Sequence, residues 1–229
     1  MGGGPDIPDH HLHKDFLVRE ATEADLNDIT EIVKAGFPDD PGCDYKYPYR
    51  GDNEEDFRKW TQREYEEYLN QPEKYCVLVV TAPQRSEDAV IQKPISFGVW
   101  DCAVEIRSKA GDHGINERRD ANRDHVREYR EAMSNAFSKN FLRHGNNQLN
   151  LLWLITIPKF RCQGAGSLIC YWGQEEAKKR HKDFLTVMAS PMGKNLYKDH
   201  GYGLIDTVMA QRKGEEEKVE VYIMEKQLV

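Results

Sequence analysis

The sequence predicts a single α/β domain built on a mixed sheet, and three observations in the 229-residue chain carry that expectation. First, "YCVLVVTA" (75–82) and "PISFGVWDCAV" (94–104) are rich in β-branched and aromatic residues, with turn residues between them. They read as an antiparallel pair. Second, "LNLLWLITI" (149–157), the most apolar run of the chain, and "FLTVMAS" (184–190) read as strands buried on both faces, each followed by a helical stretch. Third, 204–211 and 219–226 form a closing hairpin across "KGEEE".

Taken in order, "FLVREAT" (16–22) is a short first strand. Thr22 followed by Asp25 resembles a capping box with Asp in place of Glu, and Leu26, Ile29, Val33 and Phe37 then recur at helical spacing. "PDDPGCDYKYPYRGDN" is a Pro/Gly/Asp loop bearing Tyr45, Tyr47 and Tyr49. A second helix spans 54–70, with Phe57, Trp60, Tyr65, Tyr68 and Leu69 at its apolar positions. From 105 to 148 the chain turns densely charged, and Val126, Tyr129, Met133, Phe137 and Phe141 line one helical face. This reads as a charged loop leading into a helix, either an insertion that covers a site or a plain connection. A helix follows from Gly164 to about Lys182, and "PMGKNLYKDHGYG" adds a short one. The order is β-α-α-β-β-(α)-β-α-β-α-β-β. Residues 1–15 read as a disordered tail, and 16–229 as one domain with its insertion at about 105–148.

Composition removes several function classes. A formal net charge of -7 gives a nucleic-acid partner no global electrostatic support. The five cysteines, Cys43, Cys76, Cys102, Cys162 and Cys170, are odd in number and include no C-x-x-C pair. Neither a disulfide framework nor a zinc site is suggested, and a reducing, cytoplasmic setting fits best. No run approaches a membrane span, and the N-terminus lacks the apolar core of a signal peptide. Asp6 stands where a myristoylation motif wants Ser or Thr. His10, His11 and His13 read as part of the polar tail, and no metal is expected. A monomer and a homodimer stay equally open.

"PKFRCQGAGSLICYWG" (158–173) sets two close glycines between a buried strand and a helix. A P-loop would need a Lys and a Ser or Thr after the last glycine, but Gly166 precedes Ser167 and Leu168. A Rossmann fingerprint would need a third glycine where Ile169 stands, and a G-x-S-x-G elbow is absent. What is left is Arg161-x-x-Gly164-Ala165-Gly166 at a helix start. Glycines there expose consecutive N–H groups at the positive end of the helix, which suits an anion such as a pyrophosphate, and Arg161 adds a charged donor. A tight turn without a ligand satisfies the same residues.

The stretch "LITIPKFRCQGAGSLICYW" resembles motif A of the GNAT superfamily of N-acetyltransferases: an apolar strand, a Pro, an aromatic, then Arg/Gln-x-x-Gly-x-Gly/Ala and a helix. "LTVMASPMGKNLYKDHGYG" resembles its motif B, with Leu196-Tyr197 and Gly201-Tyr202 in place and Tyr202 where Phe is usual. "VREATEADLNDITEIVKAGF" is similar to its first strand and helix. The resemblance runs from about Phe16 onward, in a style nearest the superfamily's fungal branch. It implies the GNAT acyl-CoA N-acyltransferase fold and acetyl transfer from acetyl-CoA to an amine by direct attack in a ternary complex.

By that resemblance, the backbone of Leu154, Ile155 and Thr156 pairs with the pantetheine arm, and one N–H polarises the thioester carbonyl. Arg161, Cys162, Gln163, Gly164, Ala165, Gly166 and Ser167 hold the pyrophosphate, with Cys162 a passenger of the loop rather than a nucleophile. Asn195 bonds the pantetheine, and Tyr197 protonates the departing thiolate. The superfamily fixes no general base. Asp101 and Glu105 are the first candidates, with His125, His144 and His200 behind them. Tyr45, Tyr47 and Tyr49 lie where acceptor contacts are expected and suit a compact pocket for a small amine. A protein or peptide acceptor, and a non-catalytic acyl-CoA-binding module, stay open as alternatives.

Overall fold

The computed structural model describes residues 15–85, 89–104 and 114–228. One seven-stranded sheet runs in the order β1-β2-β3-β4-β5-β7-β6. Its strands are β1 (Leu17–Glu20), β2 (Tyr75–Arg85), β3 (Val90–Asp101), β4 (Gln148–Thr156), β5 (Phe184–Ala189), β6 (Gly203–Gln211) and β7 (Lys218–Gln227). Neighbours pair antiparallel except β4 and β5, which are parallel. The helices are α1 (Leu26–Gly36), α2 (Pro41–Lys46), α3 (Glu54–Leu69), α4 (Arg123–Asn140), α5 (Ala165–Lys179) and α6 (Lys194–Asp199). The sheet is therefore mixed, as the sequence predicts, and the expected element order holds with one helix added.

That helix is α2, inside the segment read as loop. Pro41 sits at its first position with φ already fixed, and the Asp40 side chain caps it by accepting the Gly42 N–H at 2.8 Å. The Thr22–Asp25 capping box forms as expected, with the Thr22 N–H donating to Asp25 Oδ2 at 2.8 Å. The Glu105 end of the charged segment lies outside the described residues, as does the tail up to residue 14.

Two apolar cores sandwich the sheet. Ala165, Leu168, Ile169 and Ala177 of α5 bury against one face with Leu78, Ile95 and Leu149. Ile29 and Val33 of α1 and Phe57 and Tyr65 of α3 cover the other, over Val79, Phe97 and Val99. On that second side α4 extends the cover across β7, with Met133, Phe137 and Phe141 against Val219, Val221 and Ile223. The approach of α5 is close because two positions lack a side chain. A Cβ on Gly173 would stand 2.2 Å from the Trp100 ring, and one on Gly98 2.6 Å from Ile169 Cγ2. Among the described residues, no helix is long and apolar enough to cross a membrane.

Candidate active site

The central feature is a strand that loses one neighbour halfway. β4 pairs with β5 only from Gln148↔Phe184 to Leu151↔Val187. On its other side it stays paired with β3 out to Ser96↔Thr156, with a register shift between Val99 and Trp100. The bulge bends β4 at the point where β5 departs. Backbone direction in the exposed half follows from two hydrogen bonds. The Ile157 N–H donates to the Ile95 carbonyl at 3.0 Å, and the Ser96 hydroxyl donates to the Ile155 carbonyl at 2.9 Å. Residues 155 and 157 thus face β3, so strand alternation turns the N–H and C=O of Leu154 and Thr156 toward the open edge. Thr156 C=O accepts from Arg161 Nε at 3.3 Å, while Leu154 presents both groups to the gap.

Directly beyond this edge stands the glycine loop. Cys162 (φ 58°) and Gly164 (φ 95°) both take left-handed backbone, folding the chain tightly into α5. The first intrahelical bond runs from the Leu168 N–H to the Gly164 carbonyl, so the N–H groups before it lie at the positive end of a 15-residue helix. No acidic residue occupies the first turn. A Cβ on Gly166 would lie 2.9 Å from Leu196 Cδ2 and 3.4 Å from Leu154 Cδ2, so its bareness lets β4, α5 and α6 converge.

The side chains of the loop behave differently from its backbone. The Arg161 guanidinium binds the Asp39 carboxylate at 2.6 Å and the Gly36 carbonyl at 2.7 Å, besides Thr156. It ties the loop to the end of α1, and the donors left facing outward in this conformation are backbone N–H groups. Gln163 donates to the Lys159 carbonyl at 2.8 Å, and Cys162 is exposed. Ala165 is buried, while Gly164, Gly166 and Ser167 are half-buried.

On α6, Tyr197 is buried against Gly193, its ring 5.7 Å from that of Tyr202. Burial pushes its phenol far above the ordinary range, so it holds its proton at neutral pH. A group in that state can serve as an acid and not as a base. Asn195, on the same helix, is exposed.

A second concavity lies across the sheet from α5. α2, the start of α4 and the β6–β7 loop enclose a cleft of about 740 Å³, lined in part by Asp39, Asp44, Tyr45, Tyr49, Glu215 and Glu217. His125, also on its wall, stacks on Tyr45 at 4.2 Å. Its Nδ1–H donates to the Tyr45 carbonyl, which can only accept, at 2.9 Å. Its Nε2 meets Glu215 at 2.5 Å, and this bond is the largest cause holding the Glu215 carboxyl below its ordinary value. Asp44 pairs with Arg50, Asp39 with Arg161 and Glu215 with Arg212, while Glu217 has no ion-pair partner among the described residues. Asp39 therefore borders the cleft and holds the glycine loop through Arg161.

The three tyrosines expected around an acceptor divide. Tyr45 and Tyr49 line the cleft, but Tyr47 is packed between Phe37 and Phe57 under the Arg118 guanidinium at 4.3 Å. Burial pushes its phenol up to about 12. Asp101 is buried at the end of β3 opposite Asn150 and accepts the Ala103 N–H at 3.2 Å. It stands three residues along β3 from Gly98, the partner of Leu154, or about 10 Å of strand. Glu105 lies outside the described residues. His144 stacks on Phe184 and meets Glu225, and burial lowers the His200 imidazole. Sequence reasoning missed Asp39 and the acids of the β6–β7 loop. Lys46, at the end of α2, does not line the cleft: it is buried in a box of Phe37, Tyr47, Tyr129 and Trp153, with Nζ 4.4 Å from the Tyr129 ring centroid.

No family model and no curated protein matches the sequence. Solved structures do. The PaiA N-acetyltransferase of Thermoplasma acidophilum, in complex with coenzyme A, superposes with a TM-score of 0.51 at 13% identity, over 93% of this chain and 99% of that one. The ribosomal-protein-S18-alanine N-acetyltransferase of Escherichia coli gives 0.53 at 11%, covering 93% of each chain. An N-acetyltransferase of Staphylococcus aureus Mu50 gives 0.52 at 12%, over 94% of this chain and all of the other. Others among the matches are a GNAT-family acetyltransferase and a GCN5-related N-acetyltransferase. With a sheet that parts at β4 and β5 and a glycine loop at the parting, the chain has the fold of the GNAT N-acetyltransferases.

Proposed function

We propose that the protein is an N-acetyltransferase that moves acetyl from acetyl-CoA to the primary amine of a small molecule, by direct attack in a ternary complex. One observation carries the reading: the open edge at Leu154 runs into the N–H groups that begin α5. An extended chain with amides along it and a pyrophosphate at its end needs that pair of features, a strand edge for the first and a helix N-terminus for the second. The Leu154 N–H, aimed into the gap, polarises the thioester carbonyl as charge builds on its oxygen. Tyr197 gives its proton to the departing thiolate. The amine nitrogen forms the new C–N bond as the C–S bond breaks.

The acceptor side is the cleft at α2. The carboxylates of its wall, Asp39, Asp44, Glu215 and Glu217, stand beside a single lysine of the same lining, Lys218, and can receive a cationic amine, while Tyr45 and Tyr49 give it apolar wall. A protein acceptor is the second reading, because the similar enzyme from Escherichia coli is named for an alanine of a ribosomal protein. The aromatic wall of Tyr45 and Tyr49 and the start of α4 beside the cleft support the small amine. Thiol release across polyamines, amino sugars, arylamines and peptides tests the choice. Turnover of peptides alone replaces the small-amine reading, and no melting shift at saturating acetyl-CoA removes the activity altogether.

A further inference from the structure

Cys76 and Cys102 stand 26 positions apart in the chain, yet their sulfurs lie 3.2 Å from each other. Cys76 is the second residue of β2, and Cys102 follows the last residue of β3. The Cys102 N–H donates to the Lys74 carbonyl at 2.7 Å, which carries the β2–β3 pairing one step beyond Tyr75↔Asp101. The two cysteines are therefore diagonal neighbours on one face of the ladder, the face that α5 covers. A third group joins them from α5. Arg180, the residue that ends this helix, sets Nη2 3.7 Å from Cys76 Sγ while its Nε holds Glu176 at 2.7 Å.

Two donors thus converge on one sulfur. Cys102 gives its S–H to Cys76, and the Arg180 guanidinium adds a positive charge. A sulfur that accepts from both has the surroundings of a thiolate. The bond from Cys102 is the largest influence lowering the Cys76 thiol below its ordinary value, and Arg180 adds to it against burial. The same bond holds the proton on Cys102. Burial is instead the largest influence on Cys43 and Cys170, and it pushes both thiols up to about 12. Cys76 keeps 9% exposure beside an Arg180 side chain that is 37% exposed, which gives a water-sized oxidant an approach.

We propose that Cys76 and Cys102 form an oxidation site, a dithiol that hydrogen peroxide converts to a disulfide. The site is independent of the acetyltransferase reading. The Cys76 thiolate attacks one peroxide oxygen and the O–O bond breaks, giving Cys76 sulfenic acid and hydroxide. Hydroxide takes the proton of Cys102, whose sulfur forms the S–S bond as the S–O bond breaks and a second hydroxide leaves. The proton first lost by Cys76 neutralises that hydroxide. Two thiols and one peroxide therefore give one disulfide and two waters, each sulfur losing one electron and peroxide taking both. The sulfurs need to close by only about 1 Å to reach bonding distance. The bridge ties β2 to the segment after β3, at the end of β3 opposite Ser96↔Thr156 and away from the open edge of β4.

The test treats folded wild type with one equivalent of hydrogen peroxide, then unfolds it in iodoacetamide to block the remaining thiols. Trypsin places the two cysteines in separate peptides, 75–85 and 86–107, so mass spectrometry reads the bridge as a linked pair. The Cys76–Cys102 link should exceed every other cysteine product by at least about tenfold, exposed Cys162 included, and dithiothreitol should remove it. The same dose on the urea-unfolded chain should show no such preference. In the folded chain the link should raise the melting temperature by several degrees, and Cys76→Ser or Cys102→Ser should abolish the rise. Linkage is read on wild type, so a serine variant that fails to fold leaves that readout in place. Cys76 and Cys102 both recovered as alkylated thiols while Cys162 is oxidised overturns the site. Oxidation of Cys76 that runs to sulfinic acid without a bridge, or an equal yield of the link from folded and unfolded chain, overturns it as well.

Discussion

The two halves of β4 differ in what stands beside them. Gln148 to Leu151 has β3 on one side and β5 on the other, and every residue from Gln148 to Asn150 is buried. Leu152 to Thr156 keeps β3 but has lost β5, and four of its five residues are only half-buried. The first half is therefore framework, with its backbone groups consumed by the ladder. The second leaves the amide and carbonyl of Leu154 aimed at a gap that ends in a helix N-terminus. On the proposed function, stability and ligand binding are divided within one strand by the position where its parallel neighbour leaves.

Proline substitutions probe that division most strongly. Ile155→Pro removes an N–H that faces β3 and should cost about 3 kcal/mol or more, read as a large drop in melting temperature. Leu154→Pro removes an N–H that faces the gap, so the fold should survive with a much smaller loss. Turnover should nonetheless fall about 10²- to 10³-fold, because the donor for the thioester oxygen is gone. Equal destabilisation by the two would break the comparison. Tyr197→Phe should cost about 100-fold in kcat at nearly constant stability. Unchanged turnover would reduce Tyr197 to a packing residue.

Two smaller effects contrast the backbone edge with the buried side chains. Lys46 binds its proton less well in the folded chain than at the ordinary value of 10.5, so between its lowered pKa and 10.5 the unfolded chain holds more protons. Stability should then rise with pH across that window, by at most about 1.4 kcal/mol per pH unit, and Lys46→Met should flatten the rise. Gly166→Ala brings a methyl within 2.9 Å of Leu196 Cδ2, a flexible neighbour that can yield. About 1 kcal/mol of stability and a modest part of the acetyl-CoA affinity should be lost.

How much of this was legible in the sequence follows from how each feature is built. The strands and long helices announced themselves because their periodicity lies within one segment. The turn at the glycine loop was legible because Gly164 and Gly166 stand together between a strand and a helix in consecutive sequence. The same loop also shows the limit. Arg161 reads as an anion donor by type, yet its guanidinium meets Asp39 and Gly36, 122 and 125 positions away. α2 went unread although Asp40-Pro41 carries a start signal, because the glycine and prolines around it spoke for a loop. The Lys46 box draws on residues 37, 47, 129 and 153, and the cleft joins Asp39 to Glu215 and Glu217. Nothing local marks such convergence.

The central claim is that the second half of β4 is the edge on which acetyl-CoA lies. Backbone amide exchange measured with and without saturating acetyl-CoA reads it residue by residue. The Leu154 amide should exchange at least about tenfold more slowly with the ligand, together with the amides of 164–167, while Asn150 and Leu151 stay unchanged. A protein that binds acetyl-CoA yet leaves the Leu154 amide exchanging as before would contradict the account.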